Sequence, residues 1–231
     1  MFKLNKVHCL FEQSGSFKKA FQSMGIDAID YDIEDQFGET DVKIDLFHEI
    51  EMAYEGHPSI FDHIKEDEMI MSFFPCTYFS GQSEFIINGY SINTKKMDDE
   101  TKEAYINDRK EKREWMFQLL LKYIHVCNNR NIKMIFENPY TSSYLLKREE
   151  IKKPDIVIMN RLIYGDDHVK PTGFWFFNLE PTFMSEYIQL NNAEKKIHNS
   201  LHPGIHRSLY RSMIQQDFAF NFINKYIMGV C

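Results

Sequence analysis

The chain opens with a short apolar run, Val7 to Phe11, closed by a polar turn from Glu12 to Ser16 that contains Gly15. An amphipathic stretch, Phe17 to Met24, follows, and Gly25 supplies a helix stop. Ala28 to Asp32 reads as a second strand ending in an acid. Strand, turn, helix and strand in this order predict the opening of a doubly wound α/β domain. Asp41 to Phe47 carries a weaker third strand with Asp45 inside it, and Met69 to Phe74 is a buried-type strand running straight into Pro75 and Cys76. Residues 81 to 100 are polar, with Gly81, Gly89 and several Asn and Ser, and predict a long mobile loop. Asp98 to Asn128 predicts one long helix, charged first and apolar later, with Asp98 as N-cap. Ile132 to Phe136 is another short strand, ending at Glu137, Asn138 and Pro139, and Asp155 to Met159 and Gly173 to Phe177 are later strand candidates. A final helix from Leu209 to Tyr226 repeats Phe218, Phe222 and Tyr226 at the spacing of a core-facing stripe. The expected architecture is one α/β domain over residues 1 to 231. Its Rossmann-like sheet carries helices on both faces, with the C-terminal helix packed back on the core.

Composition narrows the function classes. A chain of 231 residues with 43% hydrophobic content can build a full core, which sets wholesale disorder aside. The net charge of −7 argues against coating nucleic acid by bulk attraction and leaves a local basic groove open. Four separated cysteines without C-x-x-C spacing form neither a disulfide framework nor a zinc ribbon. His198, His202 and His206 recur at helical spacing, but Pro203 and Gly204 interrupt them and no H-E-x-x-H appears, so no metal site is expected. No run approaches the ~18–20 apolar residues of a membrane span. The cytoplasm is the expected address, with no membrane partner.

In open α/β sheets, ligands bind beyond the carboxyl ends of the strands, near the switch in strand order. Four polar clusters fall at predicted strand ends. The turn F-E-Q-S-G-S-F, Phe11 to Phe17, lets backbone amides and a helix N-terminus approach an anionic group, and it reads equally as a plain helix cap. Asp32 ends the next strand, where an acid can accept the hydroxyls of a ribose. Pro75-Cys76 presents a thiol at a strand end, against the alternative of a small buried side chain. Glu137 places a carboxylate at the end of a neighbouring strand, costly to desolvate unless paired, protonated or used.

Together and in this order, these clusters resemble the DNA cytosine-5 methyltransferases, whose corresponding motifs are F-x-G-x-G-G-F, F-P-C-Q-x-F-S and E-N-V. Here they stand as F-E-Q-S-G-S-F, F-P-C-T-Y-F-S (Phe74 to Ser80) and E-N-P. The Pro-Cys stretch departs from the family only at Thr77. The resemblance covers about residues 5 to 140 and implies an S-adenosylmethionine-dependent methyltransferase. It implies Cys76 as nucleophile and Glu137 as its partner, with Pro75 and Asn138 in the catalytic motifs. Phe11, Glu12, Gly15, Asp32 and Phe74 would line the cofactor site, with Asp45 near the adenine, and the helix after Arg211 to Ile214 would close the domain beside the cofactor. Gln13 and Ser16 replace two of the three turn glycines, and Q-x-R-x-R is absent, with Arg207 and Arg211 as substitutes. Just 92 residues follow Pro139, so a full target-recognition domain is not expected. A compact phage and mobile-element subgroup is similar in having E-N-P and a later K-P-T-x-x-W, here Lys170 to Trp175.

The implied partner is DNA, with a partner protein supplying sequence recognition. RNA or a free pyrimidine nucleotide is the alternative substrate. A different class, a non-catalytic module with a methyltransferase fold that holds cofactor or nucleic acid, stays open beside the enzyme.

Overall fold

A computed structural model describes residues 4–141, 143–183 and 213–228. Three parallel strands stand at the centre of the predicted opening unit: β1 (Lys6–Leu10), β2 (Asp27–Asp32) and β4 (Glu68–Ser72). The helix α1 (Ser16–Ser23) links β1 to β2, and Gly25 in the left-handed region follows its C-terminus as expected. β5 (Lys133–Pro139) pairs parallel with β4, after which β6 (Ile156–Ile158) and β7 (Thr172–Phe177) complete the sheet. β7 runs antiparallel to both β5 and β6. With the short β3 (Val42–Lys43) at one edge, the sheet order is β3-β2-β1-β4-β5-β7-β6, so the direction of winding switches between β1 and β4.

Alternating side chains load the two faces differently. Val7, Cys9, Met69, Met71 and Ile135 point to one side, where α1 and α7 (Gln216–Tyr226) cover them through Phe17, Phe21, Phe218 and Phe222. Leu10, Ile70, Met134 and Phe136 point to the other, beneath α2 (Leu46–Tyr54) and α5 (Asp99–Asn129). Phe222 stacks on Phe174 with ring centroids 4.0 Å apart, so the C-terminal helix does pack back on the core. The start of the predicted last helix, from Leu209, lies outside the described residues, as do Arg207, Arg211 and the three spaced histidines. Among the described residues, no helix is long and apolar enough to cross a membrane.

Two expectations need correction. Asp41 to Phe47 is not a strand throughout: only Val42–Lys43 (β3) pairs with β2, and the chain enters α2 at Leu46. Asp45 is the N-cap, its carboxylate accepting from the amides of Phe47 at 3.0 Å and His48 at 3.2 Å. Residues 81 to 100 are not one loop either. They hold two short helices, α3 (Gly81–Ile87) and α4 (Ile92–Lys95), each capped by a serine, Ser80 and Ser91. The long helix is as predicted, and the Asp98 carboxylate accepts from the Thr101 amide at 2.9 Å. The remaining short elements are α6 (Ser143–Lys147) and two 3₁₀ turns, Ile60–His63 and Arg161–Tyr164.

Candidate active site

A cavity of about 280 Å³ opens at the carboxyl ends of β1, β2, β4 and β5, across the switch in strand order. A wider hollow of about 570 Å³ lies at the other end of the sheet, where β7 finishes at Phe177, and no cysteine, serine or histidine is among its described lining residues. The expected site residues gather at the smaller cavity. Phe11, Glu12, Asp32, Phe74, Pro75, Cys76 and Glu137 all line it.

β1 ends under strain. Phe11 has φ 61°, in the left-handed region that a bulky side chain rarely occupies. Its amide donates to the Tyr31 carbonyl at 2.9 Å, and its ring meets Phe74 edge-on with centroids 5.4 Å apart. The next residue, Glu12, is 5% exposed and accepts from the amides of Phe17 at 2.8 Å and Lys18 at 3.2 Å. The positive end of α1 is thus occupied by the protein's own carboxylate. Burial pushes Glu12 up to about 7, against the downward pull of those two amides, and Asp30 adds to the rise. Asp30 in turn is held by Lys18 at 3.0 Å, and Lys18 also reaches Asp41 at 3.0 Å.

Three of the expected site residues sit elsewhere. Gly15 takes φ 64° as the N-cap of α1 and packs near Glu39 and Lys18, so it serves the turn rather than the cavity. Asp45 is exposed and engaged in capping α2. Asn138 is fully buried beneath the Pro-Cys turn, where its Nδ2 donates to the Phe74 carbonyl at 3.0 Å. It positions the turn and does not face the cavity.

The Pro-Cys turn carries the thiol outward. The Cys76 carbonyl accepts from the amides of Phe79 and Ser80, both at 2.9 Å, which curls the chain into α3 and leaves the side chain half-buried at the cavity wall. Cys9 and Cys127, by contrast, are core. Burial raises the Cys76 thiol, the charge of Lys170 draws it back down, and that of Glu137 pushes it further up. Glu137 itself is 7% exposed, and its buried Oε1 has no hydrogen-bond partner among the described residues. A buried acceptor left open at a cavity wall is where a ligand's donor belongs. Asp32, at the end of β2, accepts from the Glu34 amide at 2.9 Å, and burial raises its carboxyl as well.

The wall also takes in Phe37, Phe73, Met213 and Ile214, which were not among the expected site residues. The K-P-T turn, Lys170 to Thr172, reads from sequence either as a substrate-facing loop or as a structural turn, and Lys170 lines the cavity. The missed signal for Lys170 was its place one Pro before β7, a strand whose start shares an end of the sheet with the finish of β5. Among the described residues no cluster of three or more His, Cys, Asp or Glu could hold a metal.

No family model matches this chain, and no curated protein matches it either.

Proposed function

We propose that the protein is an S-adenosylmethionine-dependent methyltransferase acting on carbon 5 of cytosine in DNA, with Cys76 as nucleophile. The observation that carries the reading is the shared cavity: a half-buried thiol and a buried carboxylate with an open acceptor stand at the ends of adjacent strands, beside the switch point. Cytosine presents an electrophilic carbon 6 and a ring nitrogen 3, and this pair of side chains suits both.

The lining fits the cofactor in charge. Glu12, Asp32 and Glu137 supply three acids where a sulfonium would sit, Asp32 stands where a ribose would be held, and Phe11 and Phe74 offer an aromatic wall. The α1 amides are already taken by Glu12, so the cofactor's carboxylate would need another partner. When bound, S-adenosylmethionine supplies an electrophilic methyl group.

Cys76 must first lose its proton, since the thiolate is the attacking form. Addition of sulfur to carbon 6, with Glu137 keeping a proton at ring nitrogen 3, raises the electron density on carbon 5. Once carbon 5 has been substituted, loss of its proton to solvent water expels the sulfur as thiolate, and reprotonation restores the thiol. A duplex substrate requires the base to leave the stack, at a cost of a few kcal/mol.

Incubation with a 5-fluorocytosine oligonucleotide and S-adenosylmethionine tests this directly. The expected result is a stable protein–DNA adduct mapped to Cys76. Cofactor binding without a mass change on DNA, RNA or dCMP would overturn the reading in favour of a binding module.

A further inference from the structure

Lys170 is the only cation among the described residues that line the cavity, where it joins three acids. The backbone that follows it is fixed. The Thr172 hydroxyl donates to the Lys170 carbonyl at 2.9 Å within the turn, and the Pro171 carbonyl accepts from the Tyr140 amide at 2.8 Å. The second bond fastens the start of β7 to the finish of β5, where Thr172 stands opposite Pro139 and Phe174 opposite Glu137. Among the described residues, the Lys170 ammonium forms no ion pair. Of the charges bearing on the Cys76 sulfur, Lys170 is the one that favours the anion.

We infer that Lys170 is a positioning residue for the nucleophile: its ammonium supplies the counter-charge to the Cys76 thiolate. The inference rests on the reading of Cys76 as nucleophile given above. On ionisation the thiol proton passes to solvent water, and the negative charge on sulfur is left facing an ammonium across the cavity. Glu137 from β5 opposes this effect, and Glu12 and Asp32 from the ends of β1 and β2 are the other acids in the wall. A cation is needed because an unassisted thiol is only a few per cent ionised at neutral pH, and burial lowers that fraction further.

The test is the pH profile of iodoacetamide alkylation of the full chain, read at Cys76 by peptide mass. Cys9 and Cys127 are buried and serve as internal references. K170M is expected to move the profile to higher pH and to slow alkylation several-fold at about pH 8, close to the usual thiol range. K170R is expected to restore the wild-type profile, and E137Q to move it the other way. If K170M does not fold, K170Q carries the same comparison. A profile unchanged by loss of the charge would overturn the role of Lys170, whatever the turnover. Conversely, a shifted profile with no 5-fluorocytosine adduct would remove the proposed reaction while leaving the Lys170–Cys76 coupling in place.

Discussion

Asn138 holds the carbonyl of Phe74 at 3.0 Å, so the last turns of β4 and β5 are tied together one residue away from Glu137 and two from Cys76. The two reactive side chains are thereby set by one buried amide that neither touches the cavity nor carries charge. Replacing Asn138 with Ala leaves the Phe74 carbonyl buried without its donor. The expected loss is about 1–3 kcal/mol in chemical denaturation, accompanied by slower alkylation of Cys76. An unchanged midpoint and an unchanged alkylation rate would show that the bond sets nothing.

The Cys76→Ala variant separates chemistry from structure. Cys76 is half-buried at a wall, so its truncation should change the denaturation midpoint little while abolishing adduct formation and turnover. Cofactor binding by calorimetry should survive. Wild-type activity in this variant would end the covalent mechanism.

Glu12 makes stability depend on pH in a direction opposite to that of most paired carboxylates. Its folded value is raised to about 7 from an ordinary 4.5, chiefly by burial. Between those two values the folded chain binds a proton that the unfolded chain has released, so stability falls as pH rises through this window. Above about 7 and below about 4.5 the contribution of Glu12 is flat. The full change amounts to about 3 kcal/mol. Denaturation at several pH values should show this slope in the wild type, and E12Q should lose it. Equal slopes in the two proteins would be the contrary result.

Arg161 and Asp166 form a fully buried pair, with Arg161 Nε donating to the Asp166 carboxylate at 2.6 Å and a second guanidinium nitrogen donating to the same oxygen. The guanidinium also lies over the Phe218 ring at 5.0 Å, which couples the pair to α7. Asp166→Ala strands a buried cation and should cost about 3–5 kcal/mol. Thermal melting of this variant, read beside Asp167→Ala as a control in the same turn, measures the difference. A melting point equal to that of the control would show that the buried charge is compensated elsewhere.

What the sequence disclosed follows from how local each signal is. The strands around Val7, Ile29, Ile70 and Ile135 are short apolar runs closed by polar residues, and a parallel buried sheet writes itself that way. Cys76 and Glu137 were legible because each directly follows or ends such a run. Asp45 misled because Val42 to Phe47 alternates like a strand, while its capping role depends on the helix that begins beside it. The polar composition of residues 81 to 100 masked α3 and α4, although Ser80 and Ser91 carried local cap signals. Glu12 closing the end of α1 and Lys170 arriving beside Cys76 arise only from folding: one needs a carboxylate bent back across a turn, the other a strand that reverses direction.

That reversal puts the rim of the pocket on a short connector. Because β7 descends while its neighbours rise, the segment feeding it crosses the rim between two anchors, the buried Asp166 held by Arg161 and the Pro171 carbonyl held by Tyr140. Changing residues 167 to 170 between those anchors would reshape the entrance and move the one cation among the described residues of its wall, yet every rung of the ladder below would stay in register. Under the proposed reading, ligand preference can thus change through a handful of residues, with the scaffold that presents the sulfur left untouched.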